Sequence, residues 1–188
     1  DLLTENRIWI GRTKGVGVLS LDDALAYSIT GPNLRASGLA YDLRKESPYS
    51  GYENFTFDVP SRSEGDCYAR YSVRIEELRQ SLCIVRQALD GLPEGPIQAD
   101  APGVVLPDRD KMKAEMEALI YHFKLVVDGF APPAGEVYFP IESPKGEVGC
   151  YLVSDGGPRP WRMRWRGPSL FNVQLLAKLL PGHLLADA

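Results

Sequence analysis

The sequence predicts an α+β fold in which two long packed helices are joined to a three-stranded antiparallel meander. Apolar residues recur at helical spacing over 65–89 and again over 109–128. Apolar and polar residues then alternate at strand spacing over 136–166. Of the 188 residues, 44% are hydrophobic, which is enough for a packed core, and 24% are charged. We therefore expect one domain, or one large piece of a bigger one.

Residues 1–62 are expected to form loops and short elements, because the region is rich in Gly, Pro, Asn and Ser. One short helix is predicted from Ser20 to about Ser28. Ser20 is suited to cap this helix, and the acidic residues Asp22 and Asp23 favour its positive N-terminal end.

The first long helix is predicted within 63–91. Ser63, followed three positions later by Asp66, resembles a capping box, and Gly91 and Pro93 stop the helix. Seven apolar side chains, spaced by three and four, share one stripe of it: Tyr68, Tyr71, Ile75, Leu78, Leu82, Val85 and Leu89.

The second long helix is predicted within 108–129, where Asp108 could cap it and Gly129 would end it. Five apolar side chains are expected to form its buried stripe: Met112, Met116, Leu119, Phe123 and Val126. The two stripes indicate that the helices pack together or against a partner outside the chain.

Three strands are predicted within 135–168, separated by turns at 143–146 and 154–158. Pro140 places the first strand at an edge, because proline lacks the backbone donor that a central strand needs. A short apolar helix is predicted over 169–180. Each strand carries apolar residues on one face: Val137, Phe139 and Ile141; Val148, Cys150 and Leu152; Trp161, Met163 and Trp165.

The composition excludes several function classes. The net charge of −4 gives no general electrostatic reason to bind nucleic acid. No apolar run approaches the ~20 residues that span a bilayer. Three cysteines without a CxxC pair and two histidines predict no disulfide framework, iron–sulfur site or multi-histidine metal site. The start of the sequence shows no basic region before an apolar one and no initiating Met, and both ends are expected to be internal to a longer protein.

Asp66, Arg70 and Arg74 are the first charged candidates. They are four residues apart, so they are expected to form a row on one side of the first long helix. A buried row could hold a carboxylate, position a loop or relay charge. The alternative is a solvated ion-pair face, in which a surface pair contributes under ~1 kcal/mol.

Glu142, Lys145 and Glu147 are the second set, in a turn shaped by Pro144 and Gly146. An ammonium group between two carboxylates could hold a buried charge network or meet a ligand carbonyl. The alternative is an ordinary exposed hairpin tip.

Arg162, Arg164 and Arg166 line one face of the third strand, and Trp161 and Trp165 line the other. Nucleic-acid binding needs basic and aromatic groups together, and the alternation separates them. We expect an apolar core face and an outward basic face that docks an acidic subunit. The alternative is a merely solvated face.

Longer strings carry a resemblance to a known family. They are RTKGVGV at 12–18, TGPNLRASG at 30–38, YDLRK at 41–45, GDCYARY at 65–71, RIEELRQS at 74–81, MEALIYHFK at 116–124, PAGE at 133–136, PKGEVG at 144–149 and LVSDG at 152–156. In this order they resemble the quinone-cavity subunit of bacterial NADH-quinone oxidoreductase, which is respiratory complex I. The Glu-x-Pro-Lys-Gly turn at 142–146 also resembles the Glu-x-Pro-Arg-Gly turn near the metal site of [NiFe] hydrogenases.

The resemblance implies the C-terminal part of a [NiFe]-hydrogenase large-subunit-like fold that has lost its nickel–iron centre. In this family, electrons from NAD(H) pass through FMN and iron–sulfur clusters in partner subunits. The terminal iron–sulfur cluster, in a neighbouring subunit, reduces a quinone in a cavity that this family's protein partly lines. Proton pumping in the membrane arm is coupled to that step. The resemblance places the chain at the cytoplasmic face of the inner membrane, or on the matrix side in mitochondria.

The departures from the family restrict the assignment. The histidine and tyrosine that meet the quinone headgroup belong to the family's first half, and a final segment beside the cavity is also absent here. We therefore expect no catalytic residue, metal or bound cofactor on this chain, and no activity of the chain alone. Six residues are implied as the polar network behind the cavity: Asp66, Arg70, Arg74, Glu142, Lys145 and Glu147.

Two other functions remain open from the sequence. The chain could be a structural or assembly module that docks other complex subunits through Arg162, Arg164 and Arg166 without touching quinone. It could also belong to a working hydrogenase-type metalloenzyme, which stoichiometric nickel in the full-length protein would reveal.

Overall fold

The computed structural model describes residues 2–184 and divides the chain into two compact units. The first unit contains the chain up to Leu92, Phe139–Gly149 and the chain from Trp165 onward. The second contains Pro93–Tyr138 and Cys150–Arg164. Helices and an antiparallel sheet are both present, so the predicted α+β class is confirmed.

Short helices occupy the region that was expected to be mainly loops. The predicted helix after Ser20 is confirmed, and the Ser20 hydroxyl accepts a hydrogen bond from the backbone N–H of Asp23 at 3.2 Å. The others are too short to show a periodic apolar pattern, so the sequence did not reveal them. The elements are α1 Arg7–Thr13, α2 Leu21–Ala26, α3 Pro32–Ala36, α4 Leu43–Glu46 and a 3₁₀ turn at Tyr52–Asn54.

Helix α5, Cys67–Asp90, confirms the first long helix, but it begins later than predicted. Asp66 caps it instead of Ser63. The Asp66 carboxylate accepts a hydrogen bond from the backbone N–H of Ala69 at 2.7 Å. An aspartate at this position satisfies a backbone donor that has no partner inside the helix.

The predicted stripe of α5 is only partly covered. Its first three members, Tyr68, Tyr71 and Ile75, are half-buried. The last four are between 53% and 68% exposed: Leu78, Leu82, Val85 and Leu89. The face that this chain buries instead carries Ala69 and Val73, which form a small core cluster with Ala36 of α3.

The second long helix was predicted as one element, and this was wrong. It consists of α6, Arg109–Ala114, and α7, Met116–Val127. Glu115 between them has an extended backbone, with φ −122° and ψ 123°. Neither glycine nor proline marks this position, so the sequence carries no signal for the break.

The second stripe is not buried by the described residues, so the alternative of a partner outside the chain stays open. Four of its members are between 54% and 79% exposed: Met116, Leu119, Phe123 and Val126. Ala118 is the residue of α7 that is buried. An apolar helix face is buried only when another surface packs on it, and these side chains remain open among residues 2–184.

The three strands of the meander are β1, Gly135–Ser143, β2, Gly146–Ser154, and β3, Arg162–Arg166. Their order in the sheet is β1-β2-β3, so Pro140 lies in an edge strand as predicted. The helix predicted over 169–180 is present as α8, Pro168–Gln174, and α9, Leu176–Leu179.

The expected core face of β3 is not a core face in this chain. Trp161, Met163 and Trp165 are all exposed, and so are Arg162 and Arg164 on the other side. Alternation predicts that a strand has two unlike faces, but it does not say whether this chain supplies the layer that covers the apolar one.

The main core of the first unit lies where α2, α3 and the α8–α9 region meet. It contains five buried apolar residues: Leu19, Ala24, Ile29, Leu34 and Leu175. Partly buried aromatic side chains, among them Phe171, pack against it. This core holds the short helix α3 in place.

The β1–β2 turn lies directly against the start of α3. Gly31 has φ +71°, and a Cβ atom there would come within 2.4 Å of the Gly146 Cα. Gly146 has φ +122°, and a Cβ there would come within 2.6 Å of the Thr30 Oγ1. Both positions therefore require glycine for conformation and for space.

Replacing Gly31 by Ala should lower the free energy of unfolding by at least ~2 kcal/mol, since strain and a backbone clash act together. Gly11→Ala is the matched control, because Gly11 lies within α1 and a Cβ there would meet nothing within 4 Å. Thermal unfolding of the full-length protein measures both. Equal effects of the two substitutions would contradict the close approach.

Candidate functional site

Arg35 of α3 is the centre of a buried charge cluster. Its side chain is 2% exposed. The Nε atom donates to the Glu77 Oε1 at 2.6 Å, and Nη1 donates to the Glu142 Oε1 at 2.9 Å and to the Tyr41 carbonyl at 2.8 Å. The Asp42 Oδ2 lies 3.8 Å from Nη1. We call Arg35, Asp42, Arg44, Glu77 and Glu142 the Arg35 cluster.

The local sequence explains why Arg35 is buried. Pro32 begins α3, and the flanking residues Leu34 and Ala36 are buried in the two apolar clusters. The Ser37 hydroxyl, just after the helix, donates to the Leu19 carbonyl at 2.9 Å. Because this five-residue helix is packed on both sides, its arginine is almost fully buried, and a buried guanidinium needs acidic partners.

Asp42 and Arg44 form a second pair within the cluster. Asp42 is 1% exposed, and its carboxylate accepts hydrogen bonds from the Arg44 Nε at 2.9 Å and Nη2 at 2.6 Å. Burial raises the pKa of Asp42, but hydrogen bonds and charge from Arg44, with help from Arg35, outweigh burial and hold that pKa below its ordinary value. The Arg44 guanidinium also lies 5.0 Å from the ring centroid of Phe57.

The pKa of Glu142 is displaced in the opposite direction. Its side chain is 4% exposed, and its backbone N–H donates to the Tyr49 hydroxyl at 2.9 Å. Burial raises the pKa of Glu142, and the attraction of Arg35 offsets only part of this effect. The negative charge of Asp42 adds to the rise. Two acids of one cluster therefore have pKa values displaced in opposite directions, which is frequent at functional sites.

A cavity of about 420 Å³ opens beside the cluster. Its wall combines arginine, glutamate and serine side chains with a few apolar ones: Arg35, Arg44, Tyr52, Arg74, Glu77, Leu78, Ser81, Glu142, Ser143 and Pro144. This arrangement can bind a polar group, because charged and hydrogen-bonding side chains converge on one open space.

The predicted row on α5 divides into two locations. Asp66 and Arg70 hold the glycine loop near the chain start: the Asp66 Oδ2 accepts from the Gly15 N–H at 2.8 Å, and the Arg70 Nη2 donates to the Gly17 carbonyl at 2.9 Å. Arg74, by contrast, is exposed and lines the cavity. The structure does not bring the three residues together in one network.

The charges of the predicted turn also separate. Glu142 belongs to the Arg35 cluster, whereas Lys145 is exposed and its ammonium group contacts no acidic side chain among residues 2–184. The Glu147 backbone N–H donates to the Thr30 Oγ1 at 2.9 Å, and its carboxylate lies 3.8 Å from the Arg166 Nε.

The three arginines of β3 have different surroundings. Arg162 and Arg164 are exposed. Arg166 donates to the Glu147 and Ser28 carbonyls, each at 3.0 Å, and its guanidinium lies 4.7 Å from the Phe171 ring centroid. The Arg166 guanidinium is therefore engaged within the chain and is less available for docking than Arg162 and Arg164.

Sequence reasoning missed most of the Arg35 cluster. Arg35, Asp42, Arg44 and Glu77 come from three separate segments, so no local spacing reveals that they meet. One signal was present: Arg35 stands between two apolar residues, Leu34 and Ala36. An arginine with such neighbours is buried when they are, and it then needs carboxylate partners.

The described residues, 2–184, contain no group of three or more His, Cys, Asp or Glu side chains placed to hold a metal ion. The cysteines Cys67, Cys83 and Cys150 are free thiols. None of the helices in that same range is both long enough and apolar enough to cross a bilayer.

A buried ion-pair cluster beside a cavity, together with several exposed apolar faces, is typical of one part of a larger assembly. Comparison with known families agrees with this class. The family described as "Respiratory-chain NADH dehydrogenase, 49 Kd subunit" matches residues 1–188. The chain therefore belongs to this family.

Individual relatives are named as subunits of NADH-quinone oxidoreductase. The chain is 59% identical over 187 residues to such a protein of Solibacter usitatus, and this match covers 100% of the chain and 46% of the relative. It is 59% identical over 186 residues to one of Koribacter versatilis, covering 99% of the chain and 46% of the relative. It is 50% identical to one of Geobacter sulfurreducens, covering 99% and 48%. The chain spans about half the length of these relatives.

The opposite pKa displacements in the Arg35 cluster predict opposite pH effects. Because the pKa of Glu142 is raised in the folded protein, stability falls as pH rises from the ordinary value of 4.5 through the folded pKa. Glu142→Gln removes this component, so its stability relative to wild type should improve with rising pH. Thermal unfolding of the full-length protein across pH measures the trend.

Asp42→Asn is the control of opposite sign. Because the pKa of Asp42 is lowered, its contribution to stability is complete above the ordinary value of 3.8 and is lost as pH falls through the folded pKa. The loss of stability of Asp42→Asn relative to wild type should therefore become smaller as the pH falls. Parallel pH profiles for the two variants would contradict the assignment.

Proposed function

We propose that the chain is the C-terminal part of the quinone-cavity subunit of a proton-pumping NADH:quinone oxidoreductase. In this role it forms part of the polar wall of the cavity in which the terminal iron–sulfur cluster of a neighbouring subunit reduces quinone. Family membership supports the assignment to NADH:quinone oxidoreductase. The cavity beside the Arg35 cluster supports the role as part of the quinone-cavity wall. The single observation that carries it is a charged cavity wall that combines the buried, ion-paired Glu142 with Arg74.

The remaining attributes follow from the same proposal. FMN, NAD(H) and the iron–sulfur clusters belong to partner subunits, and the chain itself supplies no cofactor ligand. Its partners are the other complex I subunits, the membrane arm among them, and quinone. The fold is part of a [NiFe]-hydrogenase large-subunit-like fold, in which the two long helical regions pack within the completed protein. The complex lies at the cytoplasmic face of the inner membrane, or on the matrix side in mitochondria.

The six proposed network residues divide by task. Asp66 and Arg70 position the Gly15–Gly17 loop, and Arg74 and Glu142 line the cavity wall. Glu147 bonds to Thr30 and so fixes the turn that presents Lys145. Lys145 is left with an ammonium group that can meet a ligand carbonyl or a carboxylate outside this chain. The headgroup residues themselves lie in the part of the protein that this chain does not span.

A second candidate function is a docking module. This function is favoured by the exposed side chains in and just before β3. Arg162 and Arg164 are exposed on one face, and Trp161 and Trp165 are exposed on the other. Arginine and tryptophan are enriched where protein interfaces concentrate their binding energy. Under this function the strand contacts another complex subunit, and substitutions there impair assembly and not the turnover of assembled complex.

Substitution in the intact complex separates the two functions. Lys145→Ala should lower quinone reductase turnover about tenfold with assembly retained, because it removes the charge-assisted hydrogen bond that we propose the ammonium group makes outside this chain. Lys124→Ala is the control, since Lys124 is an exposed lysine of α7. The double variant with Arg162→Ser and Arg164→Ser tests docking, and the quantity measured is the yield of assembled complex.

Quinone reductase assays and native gel electrophoresis of the assembled complex provide the two readouts. Unchanged turnover in Lys145→Ala would remove Lys145 from the site. Unchanged yield of assembled complex in the double arginine variant would remove β3 from the docking surface.

A further inference from the structure

Strand β3 is an edge of the sheet that has no pairing partner on its outer side. The strand order is β1-β2-β3, and the sheet has no fourth strand within residues 2–184. The Trp161 backbone N–H donates to the Val153 carbonyl at 2.9 Å, so Trp161 is one of the residues whose backbone bonds to β2. Because such residues alternate along an antiparallel strand, the N–H and C=O groups of Arg162 and Arg164 point away from β2. These outward groups are therefore open to a further strand.

The two edges of the sheet differ in their ability to accept another strand. Edge strand β1 carries Pro140, and proline has no N–H to donate, so it protects this edge from pairing. Strand β3, Arg162–Arg166, contains no proline. An extended segment that adds to such an edge is held by main-chain hydrogen bonds, and its side chains provide the specificity. The sheet therefore has one edge that suits strand addition.

Charged side chains on an edge strand can also serve to keep other strands away. The other face of this strand shows that keeping strands away is not its only purpose. Trp161 is 76% exposed, Met163 is 46% exposed and Trp165 is 62% exposed. A strand that stays in water gains nothing from three large apolar side chains, whereas tryptophan and arginine together are typical of a surface that a partner covers.

The two exposed arginines specify the charge of the strand that would bind. Arg162 and Arg164 form no ion pair with an acidic side chain of residues 2–184, whereas the Arg166 Nε lies 3.8 Å from the Glu147 carboxylate. Side chains directly opposite each other on neighbouring strands are ~4.5–5.5 Å apart at Cβ, and opposite charges there attract. Acidic residues at two alternating positions of the added strand would meet both arginines.

The charge also indicates where this strand comes from. Electrostatic complementarity steers and selects partners that meet by diffusion, so it matters most between separate chains. A strand of the same polypeptide is already held close by its covalent connection and has less need of such selection. The pair Arg162 and Arg164 therefore favours a strand from another subunit.

We propose that β3 binds, by strand addition, an extended segment of another subunit whose acidic residues alternate opposite Arg162 and Arg164. The outward main-chain groups of the two arginines hold this segment. Its intervening residues lie on the face of Trp161 and Met163, where apolar side chains fit. This inference rests on the docking function proposed above and names its partner, and it holds whether or not the cavity beside the Arg35 cluster receives quinone.

A matched pair of substitutions in the intact complex separates main-chain pairing from charge. Arg164→Ser and Arg164→Pro both remove the guanidinium, but only proline also removes the outward N–H. Relative to wild type, the yield of assembled complex should fall about threefold for Arg164→Ser and about tenfold or more for Arg164→Pro. The yield is divided by the amount of the full-length subunit in the same cells, which separates failed docking from loss of the subunit. Equal normalised yields for the two variants would overturn strand addition.

A structure of the assembled wild-type complex tests the site without any substitution. The expected result is a strand of another subunit beside β3, with main-chain hydrogen bonds to Arg162 and Arg164 and acidic side chains opposite them. Water along this edge would overturn the site. A strand of the same polypeptide would overturn the assigned source, and a strand without acidic residues would overturn the assigned charge. Quinone reductase turnover, which tests the cavity, does not enter either measurement.

Discussion

The ion pairs of one buried arginine hold the site together. Arg35 connects α3, which carries it, with Glu77 on α5 and Glu142 on β1, and its Nη1 also bonds to the chain just before α4. Breaking a buried pair by removing one partner costs about 3–5 kcal/mol, because a charge is left without compensation. The close approach of Gly31 and Gly146 brings the β1–β2 turn to this arginine. The close approach of the two glycines and the buried ion pairs of Arg35 therefore depend on each other.

The same structure leaves much apolar surface uncovered. Three apolar surfaces are exposed in the described chain: the later part of the α5 stripe, the stripe of α7, and Trp161 and Trp165 in and just before β3. A folded protein rarely leaves such faces open unless a partner packs on them. This exposure agrees with a chain that spans about half the length of its relatives. The ion pairs of the Arg35 cluster form within the chain, whereas these apolar surfaces are not covered by any of the described residues.

The parts of the fold that were predictable from the sequence depend on repeated patterns. Helix α5 and the three strands repeat a spacing over many residues, so their existence and even the edge position of Pro140 followed from the sequence. The break at Glu115 did not, since no residue there forbids a helix. What covers the stripes could not be predicted, because a pattern identifies an apolar face but not the surface that packs on it. The candidate site was only partly predictable for a different reason: Arg74 and Glu142 stand in short local sets, whereas Arg35 pairs with residues 42 and 107 positions away. Contacts across such separations leave no mark in local spacing.

Hydrogen exchange in the intact complex, compared between wild type and Arg35→Met, tests the central claim most directly. If Arg35 joins these segments, protection should fall together in α3, at Leu43, around Glu77 in α5 and at Glu142 in β1. Loss of protection confined to α3, with the other three segments unchanged, would contradict the account.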